Sequence, residues 1–306
     1  MNEITPVIRV EHLHKSYGAT VAVDDISFAV QPGEIFGLVG PNGAGKTTTV
    51  ECLAGLRKPD GGSLSILGMD PVRQERQLRQ RIGVQLQQAA LPEDIKVWEA
   101  LDLFATIYDN KVDWRALLEA WGLAEKRNAR FGSLSGGQKQ RLFVTLALVN
   151  DPEIVFLDEI TTGLDPQARR STWEMVQKLR EHGKTVLLVT HFMDEAEQLC
   201  DRVGIIDHGS LIALESPQNL IRQLGAETKV IFGAKGAESY LWLAGVPGAS
   251  QVTRQNGNVV VSGRGSLLVG VASALAERGL APGDLRVEQA TLEDVFLALT
   301  GKKIRD

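Results

Sequence analysis

The sequence predicts an α/β fold: a layered strand–helix core with a helical insertion, followed by a small α+β domain. Three observations carry this. Short apolar runs alternate with helical patterns over the first two thirds of the chain. The strand signal lapses between about residues 90 and 150. After about Gly225 the texture changes to closely spaced short strands around amphipathic helices.

Taken in order, Val23, Ile26, Phe28 and Val30 sit in a strand-like stretch closed by the turn Gln31-Pro32-Gly33. Ile35–Val39 (IFGLV) reads as a short buried strand, followed at once by a glycine-rich loop and a helix from Lys46. The insertion, about residues 88–152, holds DIKVWEALDLFATIYD, DWRALLEAWGL and GQKQRLFVTLALV, all with helical texture. Alternation resumes with the strand Ile154–Leu157, a helix from about Pro166 to Glu181 and the strand Val186–Val189. In the terminal region, residues 226–306, KVIF, NVVVS and LRVEQ are strand candidates around a helix from about Ser266 to Arg278. A last helix has Thr291 and Asp294 at capping-box spacing, an apolar stripe of Leu292, Val295, Phe296 and Leu299, and Gly301 to end it.

With 306 residues, 43% of them apolar, the chain can bury a large core plus an appendage. A net charge of −5 argues against binding nucleic acid through bulk charge. The one basic run, Arg73–Arg81, reads as a solvated helix face. The two cysteines, Cys52 and Cys200, have neither disulfide-framework nor metal-cluster spacing, as expected in a reducing cytosol. The opening MNEITPVIRVEH lacks the layout of a secretory signal, and no apolar run approaches the ~20 residues that span a bilayer. Any service to a membrane is expected to run through a partner.

The strongest chemical signal is Gly40-Pro41-Asn42-Gly43-Ala44-Gly45-Lys46-Thr47, with Thr48 following, between a strand and a helix. Glycines let successive backbone N–H groups converge on phosphate. The helix start adds its positive dipole end, Lys46 a point charge, and the Thr47 hydroxyl a ligand suited to Mg²⁺. The second signal is the strand Ile154–Leu157 ending in Asp158 and Glu159. Two carboxylates at a buried strand end need ligands. Alternating strand geometry would send them opposite ways, Asp158 toward a metal shell and Glu159 toward an attacking water as general base. The third is Leu134-Ser135-Gly136-Gly137-Gln138 ahead of a helix. Ser135 is a natural N-cap, and the two glycines leave amides bare, which suits either a second phosphate-receiving surface or a plain capped helix.

Phosphate loop, LSGGQ and the strand ending in Asp-Glu, in this order, resemble the ATP-binding cassette (ABC) family across residues 5–225. The resemblance implies a P-loop NTPase cassette with an antiparallel β subdomain and an inserted helical subdomain. It implies ATP and Mg²⁺ as ligands. It also implies a homodimer in which LSGGQ of one copy closes on ATP held by the phosphate loop of the other. It assigns weaker signals too: Tyr17 (KSYG) to adenine stacking, and Gln87 to Mg²⁺, the water and sensing of the membrane partner, with Gln88 a competitor. Asp165 (TTGLDP) is assigned to coupling between sites, and His191 to the γ-phosphate. Ile160 stands where similar sequences carry proline. The ending ATLEDVFLALTG is similar to that of daunorubicin-resistance-type exporter ATPases, whose membrane-spanning subunit is a separate chain.

The expectation is therefore an ATPase on the cytoplasmic face of a membrane, powering efflux of drug, antibiotic, lipid or glycan. Its partners would be a second copy and a separate permease, and not nucleic acid. Two other classes of similar ATPase are disfavoured. Translation factors of this kind carry two cassettes, and the DNA-repair type separates phosphate loop from LSGGQ by coiled coils, whereas no sustained heptads lie between Lys46 and Ser135.

Overall fold

A computed structural model describes residues 5–109, 112–225, 227–234 and 239–301. The chain divides into two compact units, one ending at Pro217 and one spanning Gln218–Gly301. The division falls at the start of a short helix, Pro217–Gln223, a little before the compositional change at Gly225.

In the first unit, β1 (Ile8–Tyr17), β2 (Thr20–Val30) and β4 (Gly61–Ile66) form an antiparallel sheet in the order β2-β1-β4. Between them in sequence come β3 (Ile35–Val39) and α1 (Lys46–Leu53). Next are α2 (Glu75–Arg79) and β5 (Ile82–Gln85), then α3 (Val97–Ala105), α4 (Trp114–Ala120) and α5 (Gly136–Leu146) with no strand among them. That strand-free stretch is the helical insertion. The unit continues with β6 (Ile154–Asp158), α6 (Pro166–Glu181), β7 (Thr185–Thr190), α7 (Met193–Leu199), β8 (Arg202–Asp207) and β9 (Ser210–Glu215). A six-stranded sheet runs β5-β6-β7-β3-β8-β9, parallel except for β9.

Every residue of β3, β6 and β7 is buried, as a parallel sheet covered on both faces requires. The two sheets of this unit share one core. Val10, Leu13, Ile26 and Phe28 pack with Phe36, Leu38, Phe156 and Leu187, and the rings of Phe28 and Phe36 stack 5.0 Å apart. Burying side chains of this size contributes about 1.5–3 kcal/mol each. In α2 the arginines face water while Leu78 is fully buried, and Arg79 and Arg81 pair with Glu75 and Glu153. The basic run is thus a solvated face.

The second unit begins inside α8 (Pro217–Gln223) and holds β10 (Thr228–Gly233), β11 (Ala249–Gln255), β12 (Asn258–Gly263), α9 (Leu267–Glu277), β13 (Arg286–Glu288) and α10 (Leu292–Thr300). Its antiparallel sheet has the order β11-β12-β10-β13. Val230, Phe232, Val259 and Val261 face Leu267, Val271 and Leu275 of α9 in an all-apolar core. Thr291 and Asp294 form a reciprocal capping box on α10, and Gly301 closes it at φ 69°. The α10 stripe is only partly covered: Leu292, Val295 and Phe296 are buried, while Leu299 is 50% exposed. No described helix is long and apolar enough to cross a membrane.

Candidate active site

The order β5-β6-β7-β3 brings four strand ends to one edge of the parallel sheet. In α/β sheets that carboxyl edge is where ligands bind. Residues 40–48 follow β3, Glu159 follows β6, His191 follows β7 and Gln87 lies just past β5. Residues far apart in sequence are thus neighbours because their strands pair.

The loop after β3 needs its glycines. A Cβ on Gly40 would lie 2.1 Å from the Ile206 carbonyl oxygen, and one on Gly45 would lie 2.2 Å from that of Ala22. Gly45 also has φ 104°, a conformation that side-chain-bearing residues avoid. It caps α1 without any side-chain hydrogen bond, leaving first-turn N–H groups free for an anion. Lys46 folds back over the loop and donates to the carbonyls of Gly40 at 2.8 Å and Pro41 at 3.0 Å. Burial lowers its pKa, and nearby Glu159 and Asp158 oppose the shift.

Asn42, Gly43, Gly45, Lys46, Thr47 and Thr48 line a cleft of about 280 Å³, with Gln87 and Glu159 completing it. Glu159 is the convergence point. Gln87 donates to Oε2 at 2.7 Å, while Lys46 Nζ lies 3.7 Å and His191 Nδ1 3.2 Å from Oε1. The two acids are not separated by strand alternation, as the sequence had suggested. β6 stops at Asp158, and Glu159 turns into the left-handed region at φ 50°, with its N–H bonded to the Val189 carbonyl at 2.9 Å. Such backbone strain in a non-glycine residue clusters at functional sites. Ile160, in the position of the usual proline, is simply buried.

Asp158 is fully buried, and neither carboxylate oxygen makes a hydrogen bond. Burial pushes its pKa up to about 6; proximity of the Thr47 hydroxyl and Lys46 works against that, and Glu159 adds to it. A buried acid with both oxygens unspent, beside a hydroxyl, fits a hard divalent cation such as Mg²⁺. Gln88, the competitor of Gln87, instead lines a separate groove of about 830 Å³ between α2, the segment after β5, Phe104–Tyr108 and Phe143–Ala147.

The other expected residues do not join the cleft. Ser135 and Gln138 form a capping box at the exposed start of α5, with Gln138 N–H donating to Ser135 Oγ at 3.3 Å. Gly136 and Gly137 lie in its first turn, and a Cβ on Gly137 would press to 2.9 Å from that of Ala168. Asp165 caps α6, accepting from Gln167 N–H and Ala168 N–H at 2.9 and 2.8 Å. Tyr17 ends β1 with its ring exposed between Lys15 and Arg57. Sequence reading missed one group altogether. Glu195, in an acidic run that looks solvated, is wholly buried. The signal was its place at i+3 from Phe192 and i−4 from Leu199, on the apolar face.

Comparison with known proteins shows the family. Residues 23–162 match the ABC transporter family. The chain is 40% identical to Nod factor export ATP-binding protein I of Ralstonia nicotianae, over 99% of this chain and 96% of that protein. It is 41% identical to the protein of the same name in Burkholderia pseudomallei, over 98% of each. A solved ATP-binding subunit of an ABC transporter superposes on it with a TM-score of 0.65 at 29% identity, covering 72% of this chain and 93% of that one. A full-length match to ATP-binding proteins, on a phosphate loop whose lysine meets a strained strand-end glutamate, places this chain in the ABC transporter family, as one of its ATP-hydrolysing subunits.

Proposed function

We propose that this chain powers an exporter whose membrane-spanning subunit is a separate chain, and that it works as a homodimer with ATP between copies. The observation that carries the reading is the convergence of Lys46, Gln87 and His191 on Glu159 at the mouth of the phosphate loop. Glu159 is the general base that takes a proton from the attacking water, and His191 and Gln87 hold the geometry of base, water and γ-phosphate. Lys46 turns its ammonium from the loop carbonyls to the β- and γ-phosphates. Thr47, Asp158 and Gln87 would hold Mg²⁺, whose charge offsets that of the phosphates. Tyr17 offers an exposed ring face for adenine.

What a single chain leaves incomplete supports the dimer. Gly43, Lys46 and Thr47 line the cleft, whereas Ser135–Gln138 do not. Each copy therefore brings half a phosphate-binding surface, with Asp165 at the start of α6 on the joining face. Gln87 touches Glu159 while the adjacent Gln88 lines the 830 Å³ groove. A permease segment seated in that groove is thus one residue from the catalytic base. Such a docking places the protein on the cytoplasmic face of the membrane. Export as the direction follows the relatives named for Nod factor export. The cargo is set by the membrane subunit in this architecture, so the ATPase site does not select it.

The test is light scattering of purified Glu159→Gln with and without Mg·ATP. The variant is expected to bind ATP, to hydrolyse almost none and to double in mass. A strict monomer with wild-type turnover would sink both the base assignment and the shared site.

A further inference from the structure

One buried carboxyl, on α7, is not among the groups assigned to this chemistry. Glu195 sits on α7 with none of its surface exposed. Trp173 of α6 donates its indole N–H to Glu195 Oε1 at 2.9 Å. Burial pushes the acid's pKa up; the hydroxyls of Thr190 and Thr161, the Trp173 indole and the Arg169 guanidinium, which surround the carboxyl, work against that. Thr190 immediately precedes His191, and Thr161 stands two residues after Glu159. Glu195 Oε2 and Thr161 Oγ1 make no hydrogen bond of normal geometry.

The same cluster reaches the histidine by a second route. Arg169 of α6 lies 4.3 Å over the Phe192 ring, which is 4.1 Å from that of His191, and it also donates to Asp194 at 2.6 Å. Three segments therefore meet at one acid: α6, the turn after Glu159 and the end of β7. An apolar side chain of similar size would fill this volume without the cost of desolvating a carboxyl. A turn that holds Glu159 at positive φ needs surroundings that over-determine it.

We propose that Glu195 is a positioning residue for ATP hydrolysis, its carboxyl, held by Trp173 of α6, buried between the segments that carry Glu159 and His191. The proposal rests on the roles given above to Glu159 and His191. It makes α6, whose first turn is capped by Asp165, the element whose position these segments follow.

The experiment measures kcat and KM for Mg·ATP, with thermal midpoints, on full-length wild type, Glu195→Gln, Glu195→Leu, Trp173→Phe and the reference Glu159→Gln. Glu195→Gln still accepts from Trp173 and is expected to keep kcat within about threefold. Glu195→Leu should fold, lose roughly tenfold or more in kcat and hold KM within about twofold. Trp173→Phe keeps the aromatic packing and should lower kcat in the same direction by less. Wild-type kcat in folded Glu195→Leu overturns the proposal, as do equal losses in the Gln and Leu variants. If Glu195→Leu does not fold, unchanged kcat in Trp173→Phe overturns it. Absence of turnover in the wild type is a failure of the functional reading itself. The proposal fails separately when Glu159→Gln stops hydrolysis and Glu195→Leu does not.

Discussion

The two sheet-and-helix units of this chain use the same construction for opposite ends. In the unit ending at Pro217, the parallel sheet delivers Lys46, Asp158, Glu159 and His191 to one edge, and Lys46, Asp158 and Glu159 are buried there. In the unit Gln218–Gly301, the core between sheet and α9 is valine, leucine and aromatic side chains. All the buried polar and charged residues among the described ones lie at or before Glu195. Buried charge costs stability unless it is paired or liganded. The first unit therefore accepts a cost that the second avoids. Where a fold places expensive groups shows where its chemistry is, and the apolar core of the second unit shows packing alone.

The largest effect should come from removing Lys46, the one buried cation among the described residues. Lys46→Ala is expected to lower Mg·ATP turnover at least about 10³-fold, because the phosphates lose a fixed, buried counter-charge. Turnover on purified protein checks it. Activity within tenfold of wild type would break the contrast at its strongest point.

The counterpart in the second unit is Phe296→Ala. Phe296 is a buried residue of α10, and its loss should destabilise that unit by about 3–5 kcal/mol while leaving ATP turnover within about twofold. Differential scanning calorimetry, read beside turnover, separates the two. A parallel loss of hydrolysis would mean that the second unit supports the site.

Asp158→Asn sharpens the comparison, since it should gain stability while losing function. The acid's pKa is raised from its ordinary 3.8 to about 6, so the folded state favours its neutral form. Its unfavourable contribution is absent below about pH 4, grows as pH rises toward about 6 and is constant above. Without nucleotide or metal, Asp158→Asn should exceed wild type in stability by about 1–3 kcal/mol at pH 7 and by less at pH 5. Urea unfolding at both pH values measures it. Mg²⁺-dependent turnover should fall sharply in the same variant. A gap that shrinks as pH rises would contradict the sign.

The contrast also explains which parts were legible in the sequence. Buried parallel strands such as Ile154–Leu157 and Val186–Val189 announce themselves as unbroken apolar runs. The phosphate loop did so because backbone approach leaves only glycine room at Gly40 and Gly45. β1 stayed hidden because bulges between Val10 and Leu13, with His12 at φ 53°, break its alternation. β11 stayed hidden because, as an edge strand, it buries none of its residues. Glu159 stands out in sequence as a strand-end acid, but a left-handed turn, not strand alternation, aims its carboxyl. Glu195 was missed because an acid on an apolar helix face becomes visible only when the residues that enclose it are brought together in space.

The smallest effect concerns the surface of the second unit. The apolar stripe of α10 should be fully covered if it served packing alone, yet Leu299 stands 50% exposed beyond buried Leu292, Val295 and Phe296. Replacing it costs little in its own unit: Leu299→Asp should change unfolding free energy by no more than about 0.5 kcal/mol, as exposed substitutions do. Its consequence is expected in assembly. If residues 226–306 hold two copies together between ATP cycles, Leu299→Asp should weaken the nucleotide-free dimer several-fold in sedimentation and leave kcat unchanged. Truncation after Leu224 should reproduce that loss of association and keep ATP binding, because every residue assigned to phosphate, metal or water precedes Phe192. Association equal to wild type in both would reduce the second unit to an appendage. Loss of ATP binding in the folded truncation would instead draw it into the active site and erase the division of labour between the two sheets.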